Sequence, residues 1–389
     1  MEFRLINAAD TEEVKWLWSY CFEQEGHPFF NWFFSEYYRP ENVLGGYDQG
    51  RLATCIHIIP YEIFLREKPL PVAFLVGLAT VPGSRGGGAA GKLLQAALSE
   101  ARGRGQYASI LIPRRNGFYR PFGWELCYHH YRYNIAATDL VHVAKRHGVF
   151  RRLDMVDEWS ALASVYEAFV AGRHGYALRR AANWRSLLAA HLAEKGFIYV
   201  LEDEGRPKGY ILYHRGENIL TVTEMAYADG RAQQALFYFL YQHRYQTERI
   251  EWNAPLDDGI HFALPNPKKE VWLHPFMAGR IVDVAALLTA VSYPPGAAGR
   301  TVLCIEDGLA DWNNGYFTLE VAAGQGQVTR AAEVKADVYC SVGALAQLVF
   351  GRLSARELAA AGRLTASSQG LALLDQFFPP RVNYINEYF

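Results

Sequence analysis

Residues 74–124 constrain this chain more than any other stretch. An apolar run, Phe74 to Pro82, feeds a loop of small residues from Arg85 to Gly91. Leu93, Leu94, Ala97, Leu98 and Ala101 then recur at helical spacing, which predicts a helix over 89–104. A second apolar run, Ser109 to Pro113, leads into Gly117-Phe118-Tyr119-Arg120-Pro121-Phe122-Gly123-Trp124. In this order, backbone N–H groups of a tight loop and the positive end of a helix are offered to an anion, and a phenol follows a short way along the chain.

The loop satisfies three motif patterns. As G-x-x-x-x-G-K it resembles a phosphate-binding P-loop, but Leu93 stands where the magnesium-binding Ser or Thr belongs. As G-x-G-x-x-G it resembles a dinucleotide fold, whose ribose-binding acid is expected ~20 residues on; Arg114 and Arg115 stand at the end of the next strand instead. As R-x-x-G-x-A (Arg85, Gly88, Ala90) it fits a diphosphate gripped by main-chain amides, with Arg85 adding a charge-assisted contact. A purely structural glycine turn is the fourth reading. It is a costly one, because so many small residues make a poor start to a helix.

The chain's 389 residues predict two or three domains. Half are apolar and a fifth are charged, enough to build large cores. A formal net charge of −1 gives no overall field to recruit nucleic acid. Cys21, Cys55, Cys127, Cys304 and Cys340 form no CxxC pair, so neither a zinc site nor a disulfide framework is expected, and a reducing, cytoplasmic setting fits. His129 and His130 are adjacent, so on a strand they face opposite ways, and no metal site is expected. No signal peptide or membrane span is expected either.

Residues 1–145 read as a mixed α/β unit. Glu2–Asn7 is a strand, and Val14, Leu17, Trp18 and Cys21 mark a helix. The aromatic run Phe29–Tyr38 is a second helix, and two hairpins follow (43–47 with 52–60, 62–66 with 72–82). Residues 146–295 repeat the plan without a glycine loop. Ser292-Tyr293-Pro294-Pro295-Gly296 is a linker to a third unit, 296–389. The chain ends in Asn383-Tyr384-Ile385-Asn386-Glu387-Tyr388-Phe389, far more aromatic than a disordered tail, so it is expected to dock.

Loop and tyrosine turn together resemble the GNAT superfamily of N-acetyltransferases, and within it the enhanced intracellular survival (Eis) family. Phe276 to Val284 is similar to that family's segment closing a second GNAT-like domain, and residues 297–389 to its sterol-carrier-protein-like domain. The resemblance implies an α+β (mixed α/β) fold, tandem GNAT-like domains followed by a sterol-carrier-like domain. It implies acetyl-CoA as co-substrate, held by Leu78, Ala79, Thr80, Arg85, Gly86, Gly87, Gly88, Ala89, Ala90, Gly91, Arg114 and Arg115. It places the general acid on Tyr119 and the general base on the α-carboxylate of Phe389. A polyamine, an aminoglycoside or a lysine side chain is the implied acceptor, and a homo-oligomer, a hexamer, the implied assembly. In one departure, Gly86 and Gly87 stand where the family often carries basic residues.

Trp16, Trp18, Phe22, Phe29, Phe30, Trp32 and Phe33, with Glu23, Glu25 and Glu387, suit either a cationic acceptor pocket or plain core packing. The rival reading of the whole chain is a lipid-binding or regulatory module, built on the sterol-carrier-like domain, with a vestigial transferase.

Overall fold

A computed structural model describes residues 1–388, apart from the side chain of Lys269. The first part supplies strands β1 (Glu2–Leu5), β2 (Val43–Asp48), β3 (Arg51–Leu65), β4 (Lys68–Thr80), β5 (Ala108–Leu111) and β6 (Glu125–Ala136). The middle part supplies β7 (Val149–Leu153), β8 (Tyr176–Ala177), β9 (Phe197–Asp203), β10 (Arg206–Arg215), β11 (Ile219–Tyr227), β12 (Arg249–Ala254) and β13 (Val271–Ile281). All of them join one sheet in the order β1-β2-β3-β4-β5-β13-β6-β12-β11-β10-β9-β7, with β8 pairing β3.

The order shows an exchange. β13 inserts between β5 and β6, so Ala278 pairs Leu111 on one side and Leu126 on the other. β6 in turn pairs β12, with Tyr133 opposite Trp252. The first and middle parts therefore share a continuous sheet, each pairing with a strand of the other.

The third part adds β14 (Gly299–Glu306), β15 (Gly315–Ala322), β16 (Gln325–Ala331), β17 (Val338–Ser341) and β18 (Leu364–Ala366), ordered β16-β15-β14-β17-β18. Its helix Val342–Val349 is buried at every residue. That helix and Phe317, Phe350 and Phe377 share one apolar cluster with Val72, Phe74 and Met277 of the large sheet. Burial of this kind, at about 25 cal/mol per Å², binds the domains into one body.

Two sequence expectations are corrected here. The run 29–38 is not one α-helix. It is a short helix, Pro28–Trp32, continued by a π-helical turn, Phe33–Tyr37. The two hairpins are not separate: they share one strand. β3 runs unbroken through Pro60, because pairing with β2 stops at His57 and a missing N–H beyond that point has a partner strand on one side only. The β3–β4 turn is made by Arg66 and Glu67, both at positive φ. Its tip is planted in the third domain: buried Arg66 donates to the carbonyls of Leu348, Val349 and Pro379 at 2.8–2.9 Å, the first two of which end the buried helix.

The tail docks as its composition suggests. Asn383, Tyr384, Ile385, Asn386 and Glu387 are buried. Two buried histidines hold it: His130 Nε2 meets the carbonyl of Ile385 at 2.8 Å, and His174 Nδ1 meets Asn383 Oδ1 at 2.8 Å. His174 Nε2 accepts the N–H of Arg66, so its ring is neutral, and a second proton would face that N–H. Burial pushes both histidines down to about 3, helped by Arg66 and Arg381 beside His174, and by His274, His129 and Arg132 beside His130. Both are free to protonate near 6.5 when unfolded, so their contribution is intact above that pH and is lost as pH falls from 6.5 towards 3. Each is expected to cost about 1.4 kcal/mol per pH unit in that window. The acid limb of a Tm-against-pH curve should flatten in His174→Asn.

Candidate active site

β4 and β5 are parallel neighbours only over Val72–Phe74 and Ala108–Ile110. Beyond that, β5 ends at Leu111 and β4 continues to Thr80, so the strands part and leave a wedge between them. The wedge opens into a cleft of about 790 Å³. The glycine loop closes its far end. Gly86 and Gly88 take positive φ, and Gly88 is the N-cap of the helix Ala89–Gly103. That cap has no side-chain acceptor, and the first intrahelical bond runs from Lys92 N to Gly88 O, so the amides of the first turn have no partner within the helix. They are free to meet an anion. Arg85 reaches back to Thr80 O at 3.0 Å, tying the loop to the end of β4.

The structure brings Leu78, Ala79, Thr80, Arg85, Gly86, Gly88, Ala89, Ala90, Gly91, Arg114, Arg115 and Tyr119 around this one cleft; Gly87 is not in its wall. Sequence reasoning missed Phe74, Phe118, Phe122 and Tyr388, which also line it. Donors at one end, two arginines at the mouth and an apolar wedge between suit a diphosphate with a long flexible arm, and the residues present therefore fit acetyl-CoA.

Tyr119 ends the short helix Asn116–Tyr119 and is half-buried, its ring edge-on to Phe118 and Trp124. Burial raises its pKa above the ordinary phenol value, so it keeps its proton at neutral pH. Gly91 lets the helix approach this turn, for a Cβ there would lie 3.0 Å from Phe122 Cε1. Gly91→Ala gains helix propensity of about 1 kcal/mol but pushes Phe122. The expected result is a nearly unchanged Tm and a KM for acetyl-CoA raised several-fold, readable by steady-state kinetics.

A second cleft, of about 410 Å³, shares Phe74 and Tyr388 with the first. The expected acceptor segment divides between them and the core. Phe29, Trp32, Glu23 and Glu387 line the second cleft, and Phe22 lines the first. Trp18, Phe30 and Phe33 are buried core, and Trp16 faces solvent. The middle part supplies another share of the lining, including Glu224, Glu251 and Trp252 on β11 and β12. No local motif announces those residues; only the continuous sheet brings them here.

Five carboxylates line this second cleft (Glu23, Glu194, Glu224, Glu251, Glu387), against Arg132 in the lining and Arg179 behind it. Arg179 is buried and bridges Glu224, at 2.6 Å through both nitrogens, and Glu387 at 2.8 Å. Burial opposes ionisation of Glu224, yet Arg179 outweighs it and holds that carboxyl below its usual value. Burial and the neighbouring His214 push His191 down to about 4, so it adds no repelling charge at neutral pH. Phe389, expected as the base, lies outside the described residues. The chain leading to it is pinned at Glu387 by Tyr61 and Arg179, and at Tyr388, whose hydroxyl accepts from Asn253 Nδ2 at 2.6 Å.

Comparison with known proteins agrees. Models described as "Acetyltransferase (GNAT) domain" match residues 2–127 and 175–281, and one described as "Sterol carrier protein domain" matches 284–386. The chain is a GNAT N-acetyltransferase. Its relatives include an uncharacterized N-acetyltransferase of Streptomyces avermitilis, 26% identical over 87% of this chain and 85% of that one. The acetyltransferase shares its fold with a probable N-acyltransferase from Enterococcus faecalis (TM-score 0.87, 22% identity, 100% and 99% of the two chains). It also shares it with a GCN5-related N-acetyltransferase from Anabaena variabilis (0.86, 22%, all of both chains) and with Eis1 from Mycobacterium abscessus (0.77, 20%, all of both chains). GNAT domains use acetyl-CoA as co-substrate, and the acetyltransferase has the mixed α/β fold and the sterol-carrier-like third domain expected of it. No helix among the described residues is long and apolar enough to cross a membrane.

Proposed function

We propose that this acetyltransferase moves acetyl from acetyl-CoA to a primary amine of a cationic acceptor seated in the second cleft. The acceptor class is an aminoglycoside-like or polyamine-like molecule, or a lysine side chain. One observation carries the reading: the acidic, aromatic second cleft meets the glycine-loop cleft at Phe74 and Tyr388.

The loop Arg85–Gly91 and Arg114 and Arg115 grip the phosphates, and the splayed stretch Leu78–Thr80 pairs through its backbone with the pantetheine arm and supplies an N–H to the thioester oxygen. An amine of pKa about 10 arrives protonated. The α-carboxylate of Phe389 takes that proton, directly or through water. The amine nitrogen bonds to the acyl carbon, the carbon–sulfur bond breaks as Tyr119 hands its proton to sulfur, and the nitrogen's second proton returns to the Tyr119 phenolate, directly or through water, while the first passes from the carboxylate to solvent. The free enzyme is read as a cytoplasmic homo-hexamer, which light scattering tests.

The third domain buries Leu303, Phe317, Leu345 and Phe377 in an apolar cluster shared with the large sheet, which supports the enzyme reading over a lipid carrier. The experiment is an acceptor panel of polyamine, aminoglycoside, lysine peptide and neutral amine, with product mass as readout. Acetylation of the cationic members, with KM rising with salt, is expected. Equal turnover of the neutral amine removes the acidic cleft from the reading. Deleting Phe389, or adding residues after it, is expected to lower kcat strongly; an unchanged rate removes the carboxylate role.

A further inference from the structure

We infer that the sterol-carrier-like domain is part of the catalytic apparatus: through Asp307 and Arg280 it fixes the turn that carries Tyr119. Both are positioning residues, and the inference rests on reading Tyr119 as the general acid.

The turn Arg120–Phe122 has no buried residue of its own, so its place must be set from outside. Arg280, on β13, is fully buried directly against it. Its Nε donates to the carbonyl of Phe122 at 2.7 Å, Nη1 to the carbonyl of Ile281 at 2.7 Å, and Nη2 to Asp307 Oδ1 at 2.6 Å. Every arm of the guanidinium is engaged, and it stacks 5.1 Å from the ring centroid of Trp124, which packs on Tyr119.

Asp307 belongs to the third domain and is itself immobilised. Oδ1 also accepts the N–H groups of Leu309 and Ala310, and Oδ2 accepts from Asn313 Nδ2 at 3.0 Å. The bond to Phe122 is thus anchored in a rigid loop of another domain.

Two further contacts join the same elements. A Cβ on Gly123, which has φ +89°, would lie 2.9 Å from Val342 Cγ1. A Cβ on Gly343 would lie 2.9 Å from Glu125 Cγ. The start of the buried helix is therefore seated on the turn's exit. Arg363 of the third domain and Arg120 of the turn both hold Glu125 Oε1, at 2.5 and 3.0 Å.

A buried ion pair is weak evidence of stabilisation, since well-packed apolar groups of the same volume often do as well. What this pair does is select one position for a catalytic turn, where a displacement of about 1 Å costs about 10²-fold in rate.

The test is a double-mutant cycle in the full chain. Arg280→Lys keeps the charge but cannot make all three bonds. In the parent it is expected to lower kcat about 10–100-fold with KM for acetyl-CoA changed less than about threefold. In a Tyr119→Phe background the same substitution is expected to change kcat by less than about threefold, because the acid it positions is already gone. A full-sized loss in that background, or a loss confined to KM, overturns the inference and leaves the Tyr119 reading intact. If Tyr119→Phe alone leaves kcat unchanged, the Tyr119 reading fails first and this inference with it. Should Arg280→Lys not fold, Asp307→Asn, which keeps an oxygen for the loop amides, is carried through the same cycle with the same criteria.

Discussion

Tyr119→Phe is expected to lower kcat by about 10²–10⁴-fold, the range for loss of a general acid. The affinity for acetyl-CoA, measured by calorimetry, should stay within about twofold, because the phenol contributes its proton and not the grip on the phosphates. Phenylalanine keeps the ring contacts with Phe118 and Trp124, so Tm should hold. Burial raises the pKa of Tyr119, so in the parent its deprotonation should place no falling limb on the kcat profile at or below the ordinary phenol value near 10. The acid limb should come from the acceptor amine and its base. A fully active phenylalanine variant would mean that solvent, not Tyr119, protonates sulfur.

Arg179→Met is expected to cost about 3–5 kcal/mol, because it leaves two buried carboxylates without their cation. Glu224 keeps Tyr210 and Asn386, and Glu387 keeps Tyr61, but none of these carries charge. The transition that includes the tail should move most in chemical denaturation, since Glu387 stands beside the end of the docked segment. The triple change Arg179→Met, Glu224→Gln, Glu387→Gln removes all the charges together and should recover most of the loss. It should not recover function. With two of five carboxylates gone from the second cleft, the KM for a polycationic acceptor should rise several-fold at low salt. Full stability in Arg179→Met would overturn the anchoring role.

The glycine loop and Tyr119 were legible because each is a local pattern: small residues entering an amphipathic helix, and a phenol in a tight aromatic turn. The docked tail was legible from Tyr384, Ile385 and Tyr388, which no solvated terminus would carry. The acceptor cleft was only partly so. Phe29, Trp32 and Glu23 stood out as an aromatic and acidic segment, but Trp18 and Phe33 beside them are core, and periodicity cannot separate an inward face from a cleft face. Glu224 and Glu251 were invisible because their role depends on β6 and β13 crossing between the two halves, a non-local pairing. The same holds for Arg280 and Asp307, which meet 27 positions apart across a domain boundary. The break in the aromatic helix after Trp32 and the passage of β3 through Pro60 were missed for a related reason. Tertiary packing and the edge of β2 decided them, not propensity.

The most direct measurement is a crystal structure of the acetyltransferase with CoA. The diphosphate is expected within hydrogen-bond reach of the main-chain N–H groups between Gly86 and Gly91, with the sulfur lying where the two clefts join and facing the Tyr119 hydroxyl. A diphosphate bound away from that loop, or a sulfur turned from Tyr119 towards solvent, would contradict it.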